Sequence, residues 1–132
     1  KFLKQAVDIV NGNIADSEFK LPAFASAMAM SITVLTEKMK TLTGFSPMAF
    51  IINSRLTLAY RMITENKDHF RVSDIAYSVG FSDAKYFSKR FKAKFGLSPK
   101  ELIDKRLNNN LPEDRTNDDT SDTASPSPVR SN

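Results

Sequence analysis

Between Val72 and Pro99 the apolar positions fall twice into the register of a helix face. Val72, Ile75, Ala76 and Val79 follow the i, i+3, i+4, i+7 spacing, and Phe87, Phe91 and Phe95 follow at steps of four. Between the two sets stands Gly80, a residue that ends helices because it tolerates left-handed dihedrals. Ser82 or Asp83 is then a natural cap for the second helix. Two short helices meeting at a glycine-containing turn form a helix-turn-helix. The face opposite the phenylalanines carries Lys85, Ser88, Lys89 and Lys92, so this helix has an aromatic back and a cationic front. Such a helix suits the major groove of DNA.

The same pattern occurs earlier in the chain. Leu21, Phe24, Ala25 and Met28 repeat the spacing of Val72, Ile75, Ala76 and Val79, an offset of 51 (25 to 76). Val34-Leu35 answers Tyr86-Phe87, Met39-Lys40 answers Phe91-Lys92, and the Gly44-to-Pro47 stretch answers Gly96 to Pro99, now at an offset of 52 (44 to 96). The second copy therefore carries one extra turn residue. A repeat this dense predicts two helix-turn-helix units. The first copy has Ala29 where the second has Gly80. A positive φ there would cost alanine about 1 kcal/mol, so either the turn differs or the strain is tolerated.

The remaining elements follow from caps and periodicity. Lys1 to about Asn13 reads as an amphipathic helix with Phe2, Leu3, Ala6, Val7, Ile9 and Val10 on its apolar side, and Phe19 as an anchor after it. Ser46 caps and Pro47 starts a long helix to Asn66, with Ile52, Leu56, Ala59 and Ile63 on one face. About 19 residues make a rod near 28 Å long, of the order needed to hold two helices about 34 Å apart, one turn of B-DNA. Residues 67–71 connect to the second unit, and His69 there reads as a loop residue. A last helix runs from Pro99 to about Leu107. Residues 108–132 have almost nothing apolar beyond Leu111 and Val129 and are expected to be disordered. The expectation is an all-α fold of about seven helices: a first unit with the linker helix (1–66), a second unit (67–107) and a tail (108–132).

Charge sharpens the functional reading. The net charge is +4, but residues 1–107 hold 17 Lys and Arg against 10 Asp and Glu, whereas 108–132 hold 2 against 5. A basic body points to a polyanionic partner. From Ala84 to Lys100 there are six cations and no acid. The absence of cysteine and the single histidine leave no basis for a disulfide framework or a nitrogen- or sulfur-ligated metal, and no cofactor is expected. No apolar run approaches the roughly 20 residues of a membrane span. The chain starts with Lys and lacks a secretion signal, so a piece of a longer cytoplasmic protein is expected.

The segment IAYSVGFSDAKYFSKRFKAKFGLSP resembles the signature of AraC-type transcription regulators. The long helix, with its Arg55-Leu56 pair and Ala59, is similar to that family's linker helix, and DSEFKLPAFA with MKTLTGFSP resembles the output domain of hybrid two-component regulators that sense carbohydrates. The likeness covers about residues 1–106. It implies sequence-specific binding of double-stranded DNA, transcription regulation by activation, a contact with RNA polymerase, and a larger sensor-regulator chain around this piece. By position it implies base reading by Thr33, Thr36 and Glu37 in the first recognition helix and by Ala84, Lys85, Ser88 and Lys89 in the second. Phosphate contacts are expected from Lys38, Lys40, Arg55, Arg90 and Lys92, and at the helix starts after Ser31 and Ser82. Glu37 departs from the family pattern, where an arginine is common; a carboxylate near phosphates either reads a cytosine amine or weakens the unit. An enzyme is disfavoured, because the carboxylates are scattered and neither a Gly-rich phosphate loop nor a catalytic triad is present. The alternative is a helical protein-interaction module without DNA binding, which accounts for the amphipathic helices but not for the duplicated cationic faces.

Overall fold

The structure, a computed structural model, describes residues 1–65 and 71–109. Among these residues the fold is seven helices and no strand: α1 (Phe2–Gly12), α2 (Leu21–Ala27), α3 (Ile32–Thr43), α4 (Pro47–Glu65), α5 (Val72–Ser78), α6 (Ala84–Phe95) and α7 (Pro99–Asn109). The expectations for Asn66, His69 and the tail from residue 110 onward lie outside the described residues. Helix α7 continues through Asn109, two residues into the stretch expected to be disordered. Neither Asn108 nor Asn109 is apolar, but the helix has already been nucleated, and each further residue adds a hydrogen bond.

Two cores form, one per unit. Ala6 and Val10 of α1, Phe19, then Phe24, Ala25, Met28, Leu35, Met39 and Ile51 make the first. Leu56, Ala59 and Ile63 of α4 join Ile75, Ala76, Val79, Phe81, Phe87, Phe91 and Leu102 in the second. Phe19 anchors as expected, its ring 5.8 Å from that of Phe24. Val7 does not bury and remains 40% exposed. Helix α4 serves both cores, which changes its expected face. Ile51 is fully buried in the first core, and Ile52 only packs at the edge of the second. A helix clamped between cores on two sides needs two stripes rather than one.

The second core is built on aromatic contacts. Phe87 and Phe91 are fully buried with ring centroids 5.6 Å apart, and Phe95 continues the ladder at 4.7 Å from Phe91. Tyr60 of α4 lies against Phe95 at 4.7 Å, tying the linker helix to the back of α6. These tilted pairs each add about 0.5–1.5 kcal/mol beyond burial. Arg106 of α7 donates from Nε to the Thr64 carbonyl at 3.3 Å, so α7 satisfies an orphan acceptor in the last turn of α4.

The repeat is visible in local hydrogen bonding. After α2, Ala29 N–H donates to Ser26 and Met30 N–H to Ala25; after α5, Gly80 N–H donates to Tyr77 and Phe81 N–H to Ala76. The hydrogen bonding of the turn is the same in both units, with Ala29 at φ 59° and Gly80 at φ 98°. The strain at Ala29 is thus tolerated, at about 1–2 kcal/mol. Four residues separate α2 from α3 and five separate α5 from α6. The extra residue lies just before the second recognition helix.

Candidate nucleic-acid interface

The two recognition helices, α3 and α6, have 12 residues each. Ser31 caps α3, its Oγ accepting from Val34 N–H at 3.1 Å. Asp83, not Ser82, caps α6, with Oδ1 accepting from Lys85 N–H at 2.9 Å and Tyr86 N–H at 3.3 Å. Asp83 wins because the extra turn residue places its carboxylate, a stronger acceptor with favourable charge for the helix dipole, at the helix start. Both helices end at a glycine, Gly44 and Gly96. Serine-proline starts follow in each unit. Ser46 Oγ accepts from Ala49 N–H. Ser98 and Glu101 satisfy each other's backbone N–H reciprocally at 3.1 and 2.7 Å.

With their buried sides fixed, the outer faces follow. On α3, Thr33, Glu37, Lys38 and Lys40 are exposed and Thr36 is half-buried; on α6, Lys85, Lys89 and Lys92 are exposed and Ser88 half-buried. Ala84 is half-buried against the second core, so only part of its methyl surface faces out. Ser31 and Ser82 are exposed. Lys38 Nζ sits 5.7 Å from the Phe2 ring centre of α1, a cation–π contact that draws this α3 side chain toward α1. Lys92 Nζ lies 4.0 Å from Glu101, an exposed pair that is easily exchanged for another anion. The Glu101 carboxyl is held below its ordinary range mainly by the Ser98 N–H and secondly by Lys92. Arg90 is half-buried, and its Nε is sealed from solvent with no hydrogen-bond partner among the described residues.

Arg55 corrects the phosphate set. Its side chain is 4% exposed, within the seam between the two cores. Nε donates to the Ile14 carbonyl at 3.1 Å, and Nη2 donates to Asp16 and Phe19 carbonyls at 2.8 and 3.3 Å. With these donors turned inward it cannot clamp a phosphate. Burial pulls the guanidinium pKa below its usual value, with Asp16 pulling it partly back.

Three exposed large apolar side chains in the first turns of the recognition helices were missed by sequence reasoning. Ile32 is 44%, Val34 40% and Tyr86 45% exposed, all within the first turn of α3 or α6. Val34 and Tyr86 occupy equivalent positions of the repeat, each one residue before a buried core residue. That pairing was the available signal: only an outward position precedes the buried Leu35 and Phe87 on both helices. Such side chains can meet thymine methyl groups or base-edge carbon.

Residues 24–105 match the helix-turn-helix domain family, from within α2 through most of α7. The chain belongs to the AraC-type helix-turn-helix family of DNA-binding domains. It is 40% identical over 101 residues to histidine kinase P4 of Formosa agariphila, across 76% of this chain but 7% of that protein. It is 35% identical over 80 residues to the transcriptional activator RhaS of Escherichia fergusonii, across 61% of this chain and 28% of the relative. The chain therefore spans less than a third of either curated relative. In fold it resembles the DNA-binding domain of AdpA, solved with a target DNA, at a TM-score of 0.74 and 20% identity over 82% of this chain and 95% of that one. The C-terminal domain of the response regulator yesN from Fusobacterium nucleatum superposes at a TM-score of 0.69 and 23% identity, over 76% of this chain and 95% of that one. No helix of the described residues is long and apolar enough to cross a membrane.

Proposed function

We propose that this chain binds double-stranded DNA sequence-specifically by placing α3 and α6 in successive major grooves, as the output domain of a larger cytoplasmic sensor-regulator that activates transcription. One observation carries the reading: two helices of equal length, capped at both ends and backed by separate cores, present polar outer faces at matched positions on either end of one rod. At about 1.5 Å per residue, the 19 residues of α4 span about 28 Å. Bases are read by Thr33, Thr36 and Glu37 on one side and by Ala84, Lys85, Ser88 and Lys89 on the other. Lys38, Lys40, Arg90, Lys92 and the backbone N–H groups following Ser31 and Ser82 serve phosphates. The relative named a histidine kinase supports a sensor-bearing parent chain, and the activator relatives support an added contact with RNA polymerase.

The test is affinity as a function of salt and of sequence. With about six phosphates neutralised, log K falls against log salt with a slope near −5. Lys85→Ala or Lys89→Ala lowers affinity for a selected duplex more than for random duplex, because lysine bonds to guanine O6 and N7 are lost. Lys92→Ala weakens both duplexes alike and flattens the slope by about one. A flat salt response would overturn the reading in favour of a protein-interaction module.

A further inference from the structure

The two units share their turn, yet one has alanine and the other glycine at the same positive-φ position. Backbone geometry explains part of the difference, since Ala29 lies in the left-handed region at φ 59° whereas Gly80, at φ 98°, lies beyond the range that a side chain readily adopts. The surroundings add the rest. Ala29 is exposed, whereas Gly80 is buried. A Cβ built on Gly80 would collide with the Ile14 carbonyl oxygen and lie 2.6 Å from Arg55 Nε and 3.0 Å from Arg55 Cζ. Ile14 belongs to the first unit's α1–α2 connection and Arg55 to the linker helix. The helix-turn-helix turn of the second unit is therefore seated on the hydrogen bond between Arg55 and Ile14.

Arg55 holds the other side of this joint. Its acceptors, Ile14, Asp16 and Phe19, are all main-chain carbonyls of that same connection, which positions α2 and thereby α3. Along α4, Arg55 stands between Ile51 of the first core and Leu56 of the second. An apolar residue there would close the seam by packing alone and leave three carbonyls unsatisfied. A lysine would bring its three donors on a single rotating nitrogen, where the planar guanidinium spreads its donors over three acceptors in a fixed geometry.

We infer that Arg55 and Gly80 are positioning residues that lock the two helix-turn-helix units at one mutual orientation, and so set the half-site spacing that the domain accepts on DNA. The inference rests on the DNA-binding reading above. Neither residue touches DNA in it. Their action is to make the second recognition helix land in register once the first has bound. Two linked sites gain from each other only when the link lets both engage at once.

The experiment uses the duplex that the unaltered chain selects from a random pool, remade with one base pair added or removed between half-sites. One base pair turns the second half-site by about 35°, so the unaltered domain should lose affinity roughly tenfold on either altered duplex. In Gly80→Ala and Arg55→Lys, affinity for the selected spacing falls while the penalty for altered spacing shrinks to about threefold or less, because a loosened joint no longer enforces alignment. Ala29→Gly, at the matching but exposed turn, keeps the full spacing penalty. Circular dichroism reports whether each variant is folded. Folded variants that retain the tenfold penalty would overturn the inference.

A second measurement stands even where a variant does not fold. The chain has no cysteine, so Lys4→Cys with Lys105→Cys accepts a spin-label pair, one on α1 and one on α7. Without DNA, the otherwise unaltered chain should give a single narrow distance distribution, and a broad one would overturn the lock. The label distance needs no duplex, so a failure of DNA binding would sink the functional reading and leave this result interpretable.

Discussion

Asp83 caps the helix proposed to enter the groove, and that position sets stability against binding. Asp83→Ala removes the acceptor of two N–H groups, Lys85 at 2.9 Å and Tyr86 at 3.3 Å. Losing a cap costs typically about 1 kcal/mol, and losing the anion at the helix start a further 0.3–1 kcal/mol, approximately. The sum is about 1.5 kcal/mol, or a fall in Tm of roughly 6–12 °C for a domain of this size. Asp83→Asn keeps an acceptor and loses only the charge, so its Tm should fall by about 2–6 °C. On DNA the sign reverses. A carboxylate about 7 Å from a phosphate is repelled by about 0.6 kcal/mol in water before screening. Its removal should tighten binding to random duplex about twofold at ~10 mM salt, an effect that fades near 0.15 M as the Debye length shrinks to about 8 Å. Thermal unfolding by circular dichroism and fluorescence anisotropy on a random duplex read the two effects separately. Asn as destabilising as Ala would refute the hydrogen-bonded cap. Weaker binding by Asp83→Asn at low salt would refute the approach of this helix end to the phosphates.

The other perturbations probe different parts of the molecule. Phe91→Ala empties a fully buried site touching Phe87, Phe95 and Tyr60; a loss of about 3–5 kcal/mol is expected in urea unfolding, and a loss below 1 kcal/mol would mean the aromatic ladder is not the core. Ala29→Gly relieves a positive-φ alanine worth about 1–2 kcal/mol against a chain-entropy cost of about 0.4–1 kcal/mol, so Tm should rise slightly; a fall would contradict the strained turn. The Glu101 carboxyl is below its ordinary value in the folded chain, so its stabilisation is complete above the unfolded value near 4.5 and is lost as pH falls through the lower folded value. Glu101→Gln should therefore lessen the acid dependence of the unfolding midpoint below pH 4.5, and an unchanged profile would remove Glu101 from that role. Glu37→Gln should strengthen binding to random duplex if the carboxylate only repels phosphates; weaker binding to the selected duplex alone would instead assign Glu37 to a cytosine.

How far the sequence could be read depended on the range of the interactions. The turns, the phenylalanine ladder and the serine-proline starts are decided within a few residues of themselves, and their signals lie side by side in the chain. The repeat doubles each local signal, which is why the extra residue before α6 is legible in the sequence alone. What escaped depended on contacts between distant segments. Arg55 looked like one more surface cation, and its acceptors lie 36 to 41 residues away. Yet it stands four residues after Ile51 and four before Ala59, squarely in a buried stripe of α4. A charged residue at a core spacing announces a buried partner, although periodicity cannot say which. The glycine at position 80 was read as a turn requirement, and its deeper reason, the pressure of Arg55 and Ile14 against it, exists only in three dimensions.

The two units share one mould and differ in what they present outward. Helix α6 carries five cations and no acid, whereas α3 carries Lys38 and Lys40 against Glu37. Phosphate attraction, which is independent of sequence and acts first, therefore falls mainly on the second unit. A weakly charged first unit gains little from free encounter with DNA. It contributes through local concentration after α6 has landed, and that advantage is large only when the link presents α3 already aligned. Unequal charge on equal scaffolds thus makes a rigid joint more valuable than it would be between two strongly basic units. This is where Arg55 and Gly80 are buried, at the seam rather than on the surface that meets DNA.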